Sequence, residues 1–265
     1  MNLTLFGLLA STLYLCSAGA QFYTPKNSPI GKKNLVIIMS VIAVLAHGVF
    51  SFKAISTGSG INLGIYEMTS VIALAISGIV VISSLRRPIA DLVIVIFPLS
   101  VLAIAATLLN ESTYVPRQDI SAGIGLHVIL SVLAYSLLSI AAIEAILLSF
   151  GDYELRHKKM VALRYLPPLQ TMESLLFELL LAGLILLSLS ICTGFLFFEE
   201  MSRGLIHHTS ITLAAWLVFS VLLWGRYRLG WRGATASRWT LSGFALLLVG
   251  YFGSKLVMEI FLPQI

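Results

Sequence analysis

The chain has 265 residues, of which 58% are hydrophobic and only 11% charged. A soluble domain carries about 25% charged residues, so a water-soluble enzyme is excluded, and the net charge of +5 is assigned to loops at a membrane face rather than to a nucleic-acid partner. The mean hydropathy of +0.96 fits a polytopic membrane protein.

Eight apolar segments follow one another at residues 3–23, 34–53, 63–85, 89–108, 123–149, 172–198, 207–224 and 239–262. Each approaches or exceeds the roughly 20 helical residues needed to cross a bilayer. They predict an all-α, eight-transmembrane-helix bundle forming a single transmembrane domain over 1–265. The first segment ends in SAGA before Gln21, like a cleavage site. No basic residue precedes its apolar run, however, so it is expected to stay as the first helix.

The second segment carries His47 six residues from its outer end, and the third opens with Tyr66 and Glu67. The fifth, GIGLHVILSVLAYSLLSIAAIEAILLS, organises the rest. His127, Ser131, Ala134, Leu138, Ala141, Ala142 and Ala145 fall on one stripe of a 3.6-residue helix. Most of these side chains are small, which lets neighbouring helices approach in lipid. Hydrocarbon does not tolerate an unpaired histidine, so His127 is expected inside the bundle, near span two or span seven. Glu144 and Glu178, in the fifth and sixth spans, are intramembrane acids expected either to act or to pair with Arg156 or Arg164. Pro167 and Pro168 predict a rigid break before the sixth span. His207 and His208 open the seventh span, which ends with Trp224, Tyr227 and Trp231 among arginines, an aromatic belt. Cys16 and Cys192 make no CxxC pair and are expected as packed thiols.

His47, His127, His207 and His208 therefore share one level near the outer surface, on three helices. Neutral imidazole ligates haem iron and transition metals. It also hydrogen-bonds carbonyls and interfacial water, and both roles stay open for each residue. Glu67, at the same depth, could orient an imidazole through its second nitrogen. There is no Walker A, dinucleotide-binding or HExxH pattern, and no catalytic residue is assigned: the chain is expected not to be an enzyme.

Several stretches resemble one family. HVILSVLAYSLLSIAAIEAILL resembles the histidine-led helix of the cytochrome c assembly proteins, the CcsA and HemX-like group. INLGIYEMTSVIALAI resembles that group's Asn-Leu-Tyr-Glu-Ser helix start, and LPPLQTMESLLFELLLAGLILLSLSICTG its following helix. AWLVFSVLLWGRYRLGWRG and GYFGSKLV resemble the YpjD-type inner-membrane members of the group. The resemblance covers most of residues 34–262. It implies eight helices in the bacterial inner membrane and haem as cofactor at the outer face, with His127 at the family's external haem-ligand position. It also implies other cytochrome c assembly proteins as partners, beside the lipid bilayer. Haem-exporting members carry a tryptophan-rich segment between the helices matching spans six and seven, where this chain reads FLFFEEMSRGLIHHTS, without tryptophan. The expected function is accordingly haem binding or handling in cytochrome c-type biogenesis without that presenting segment. The alternative is a non-catalytic scaffold or regulatory partner that keeps the fold without haem.

Orientation follows from the basic residues. With both termini outside (periplasmic), the inner connections hold thirteen of the 17 Lys and Arg residues, and the outer side holds Lys53, Arg117, Arg203 and Lys255. Reporter fusions after Ile265 and within Pro25–Gly31 should therefore report opposite sides of the membrane. The same side for both would refute the count.

Overall fold

The computed structural model describes residues 2–23, 30–85, 92–110, 112, 114–157, 167–197, 206–257 and 259. Among these residues eight long helices follow in chain order: α1 (Leu3–Phe22), α2 (Ile30–Ile55), α3 (Ile65–Ser84), α4 (Leu92–Leu109), α5 (Ala122–Arg156), α6 (Leu169–Leu196), α7 (Ile206–Leu229) and α8 (Gly233–Leu248). The chain is thus an all-α polytopic membrane protein, in which α1 to α7 are each long and apolar enough to cross a bilayer. The segment expected at 239–262 differs in detail. Its regular helix, α8, has 16 residues and passes into a π-helical turn, Val249–Gly253, then one α-helical turn, Ser254–Leu256.

The helices fall into two compact units, Met1–Asp119 and Ile120–Ile265. In the first, α1 packs on α2 and α4, and α3 packs on the same two helices. Tyr14, Phe50, Phe97 and Ile104 fill its core. Polar side chains join helices across it, as where the Ser77 and Ser100 hydroxyls meet at 2.7 Å. Pro98 lies inside α4, a substitution that membrane helices tolerate when neighbours satisfy the freed carbonyl. Between α2 and α3 the sequence STGSGI makes a small antiparallel hairpin, β1 (Ser56–Thr57) and β2 (Gly60–Ile61), too short to register as strand in the sequence. The backbones of Ile61 and Arg117 exchange hydrogen bonds of 2.8 and 3.1 Å, pinning the loop between α4 and α5 to it. Gly60 has a φ of 135°, and a Cβ there would lie 2.4 Å from the Arg117 carbonyl oxygen, so only glycine suits the position.

In the second unit α5 is the hub, packed on α6 and α8, while α7 joins α6 and α8. The expected stripe is its packing face: Ala134, Leu138, Ala141, Ala142 and Ala145 are all buried. Gly183 lets α6 close on it, since a Cβ there would come within 2.8 Å of the Leu138 side chain. α5 starts where Ser121 caps it, the hydroxyl accepting from the Ile124 N–H. It runs past residue 149 to Arg156, whose guanidinium pairs with Asp152 at 3.0 Å. α6 begins at Leu169 with Pro168 in extended conformation ahead of it, as the proline pair predicts. At its start Glu173 accepts from Arg226 of α7 at 2.7 Å, and the guanidinium lies over the Phe177 ring at 4.4 Å. Cys16 and Cys192 differ from expectation: both are exposed on outward helix faces rather than packed.

Candidate functional site

His127 stands in the second turn of α5, half-buried. Its Nδ1 lies 2.9 Å from the backbone carbonyl oxygen of Ser190 on α6. A carbonyl can only accept, so Nδ1 carries the hydrogen. In a neutral ring Nε2 then holds the lone pair. Among the described residues it meets the Ser131 hydroxyl at 3.4 Å, which already has closer partners in the His127 carbonyl and the Ser190 hydroxyl, both at 2.7 Å. Thr193 completes the cradle. Its hydroxyl lies 3.3 Å from Nδ1 and donates to the Ser190 and Leu189 carbonyls. The ring lies flat enough on α6 that a Cβ at Gly194 would come within 3.2 Å of its Cε1. Among the described residues the ring's polar neighbours thus come from α5 itself and from span six, a helix that the sequence did not single out as its partner. Ser190 and Gly194 are the cause: one exposes a carbonyl to the ring and the other leaves room for it.

A neutral imidazole held by one nitrogen to a carbonyl, with the other nitrogen weakly engaged, is how proteins orient a metal-ligating histidine. The arrangement suits an axial ligand.

His47 is held differently. It belongs to the first unit and is fully buried. The Tyr14 hydroxyl meets its Nδ1 at 3.1 Å and the Ser70 hydroxyl meets its Nε2 at 3.0 Å. Ser70 also touches Ser51 at 3.2 Å. A polar row therefore links α1, α2 and α3, and both His47 nitrogens are engaged in it. Iron ligation by His47 would have to break one of these bonds.

Glu67 lies in the first turn of α3 and is buried. Its carboxyl rests against Gly64, where a Cβ would be 2.5 Å from Oε2 and 2.2 Å from the Ser112 hydroxyl. Asn62 closes this helix start, its Oδ1 accepting from the Gly64 N–H at 2.9 Å. The ring partners of His47 are Tyr14 and Ser70, and the orienting partner of His127 is the Ser190 carbonyl. His207 and His208 lie in the first turn of α7; their side chains fall outside the described residues, as do Arg164 and most of the stretch between α6 and α7. Among the described residues no group of three or more His, Cys, Asp or Glu is placed to hold a metal ion. Glu178 lies on the exposed face of α6, whereas Glu144 is buried in α5.

Ser190, Thr193, Tyr14 and Ser70 are residues that the sequence did not single out as site partners. The signal for two of them was slight: Thr193 ends the stretch that resembles the family's sixth helix, and Ser70 ends the Asn-Leu-Tyr-Glu-Ser likeness.

The chain's similarity to known proteins is extensive. The family model described as "Cytochrome C assembly protein" matches residues 5–262. "Inner membrane protein YpjD" of Escherichia coli (strain K12) is 30% identical over 258 residues, which covers 96% of this chain and 98% of that protein. An "Uncharacterized 28.8 kDa protein in nifR3-like 5'region" of Azospirillum brasilense is 32% identical over 143 residues, covering 52% of this chain and 53% of that protein. No solved structure matches the chain.

The close seat of the imidazole on α6 is open to test. Gly194→Val should drive side-chain atoms into the ring and lower the stability by about 1–3 kcal/mol, the usual cost of overpacking, read as a lower thermal midpoint in detergent. An unchanged midpoint would mean that the ring does not lie on Gly194.

Proposed function

The chain belongs to the cytochrome c assembly protein family, and from that membership we propose that it binds and handles haem at the outer face of the membrane in cytochrome c-type biogenesis, without catalysing a reaction of its own. It is a multi-pass protein of the bacterial inner membrane. In the proposed topology, α8 and its continuation form an eighth span and both termini face outward.

One observation carries the proposal: the Nδ1–H of His127 is committed to the Ser190 carbonyl, which leaves Nε2 as the available lone pair. Haem would supply an iron that takes neutral imidazole as an axial ligand. The chain's own part is to fix the tautomer through Ser190, to set the ring plane against Gly194, and to keep Ser131 engaged elsewhere so that Nε2 stays accessible. For the second ligand we favour His207 or His208, because His47 would have to surrender Tyr14 or Ser70. Haem is proposed as cargo rather than as a lasting cofactor. The segment between α6 and α7 holds no tryptophan, which favours binding or relay over direct presentation to an apocytochrome. The same feature favours the second reading, a scaffold or regulatory partner that keeps the fold without haem.

Purified protein supplied with haem should show a Soret band that His127→Ala abolishes or shifts and that His157→Ala leaves unchanged. His157 is an exposed residue at the end of α5, bonded to the Tyr153 carbonyl at 2.8 Å. A wild-type protein without such a band, or a band indifferent to His127, would leave the scaffold reading standing.

A further inference from the structure

Glu144 lies on the buried face of α5 and is 2% exposed. One turn away on either side are Ile140 and Leu148, with Ala141 and Ala145 beside it, all of them buried. Among the described residues its Oε2 has no hydrogen-bond partner. The charged groups on the helices packed against α5 are engaged or turned away. On α6, Glu173 is held by Arg226 at 2.7 Å, and Glu178 is exposed. On α8, Arg238 is exposed, and the thiol of Cys192 on α6 is exposed as well. On α5 itself Arg156 is spent on Asp152, and Glu154 lies ten residues further on, about 15 Å along the helix. No ion pair of Glu144 occurs among the described residues. The buried hydroxyls of Ser220 on α7 and Ser237 on α8 likewise have no partner there, so this unit encloses hydrogen-bonding capacity that its packing does not use.

An ionised carboxylate without a counter-charge, enclosed by alkyl side chains within a membrane span, is far costlier than the neutral acid. Yet a carboxylic acid is also a poor choice for a purely apolar position, where leucine or methionine would fill the same volume. We propose that Glu144 is a proton-binding site: it carries its proton as a neutral acid while α5 is packed, and releases it only when water reaches the carboxyl. In that step the O–H bond breaks, the proton passes to the arriving water and the carboxylate remains. No electron is transferred. Proton release is thereby coupled to separation of α5 from the helices around it. The site is independent of haem, since it uses neither His127 nor its cradle.

Infrared spectra of the full-length protein in lipid at neutral pH, wild type minus Glu144→Gln, test this directly. The difference should contain the carbonyl band of a protonated carboxyl group, shifted on exchange into heavy water, and the variant should melt no lower than wild type because a neutral isostere replaces a neutral acid. A difference showing the paired stretches of a carboxylate, with no protonated-carboxyl band, would overturn the proposal. So would a large drop in the melting temperature of Glu144→Gln, since it would mean that the folded state needs the charge. A wild-type spectrum recorded with carbon-13-labelled glutamate reads the same band if the variant fails to assemble.

Discussion

Inside hydrocarbon no water is available to satisfy a stray donor or acceptor, and the 2.9 Å bond from the His127 Nδ1–H to the Ser190 carbonyl is where that constraint decides most about this protein. It ties α5, the hub of the second unit, to α6. It selects a tautomer and leaves the lone pair of a neutral ring on Nε2. Gly194 makes the approach sterically possible, and Ser131 and Thr193 absorb the remaining hydrogen-bonding capacity around it. The small-residue face of α5 and Gly183 on α6 set the helix spacing at which such a bond can form.

His47 shows the same constraint with another outcome. Tyr14 and Ser70 occupy its two nitrogens, so the ring is spent on holding α1, α2 and α3 in register. Polar residues of this kind specify partners between membrane helices at about 1 kcal/mol each. Two histidines placed at a similar depth in the sequence thus divide into one whose bonds are internally complete and one with a nitrogen to offer. Burial and partner count make that distinction, and helix position alone does not.

Much of the fold was legible in the chain. Apolar runs located the helices, because a membrane span needs a long apolar stretch and the loops between them are polar, but they missed the end of α5 by seven residues and the start of α8 by six. The period of α5 gave its packing face, and the Pro167-Pro168 pair gave the start of α6. The partners of the histidines were not legible. Thr193 bonds back to the Leu189 carbonyl of its own helix, as any membrane-helix threonine does, and its second role at the His127 ring appears only once α5 and α6 are docked. Ser70 and Tyr14 acquire meaning in the same way. Cys16 and Cys192 look apolar enough to pack but lie on outward faces, since in a membrane protein hydrophobicity does not distinguish core from lipid surface. The π-helical turn after α8 left no mark in the periodicity, although Gly250 and Gly253 lie within it. A slight shift of helical register is enough to create it, and there the Tyr135 hydroxyl donates to the Leu247 carbonyl.

The account turns on which nitrogen of His127 carries the hydrogen. Nitrogen-15 solid-state NMR of histidine-labelled protein in lipid, with the His127 signals identified by their loss in His127→Gln, reads this without any added ligand. A protonated Nδ1 and an unprotonated Nε2 are expected. A neutral ring with the hydrogen on Nε2, or an imidazolium with both nitrogens protonated, would contradict it, since neither form leaves Nε2 a lone pair for iron.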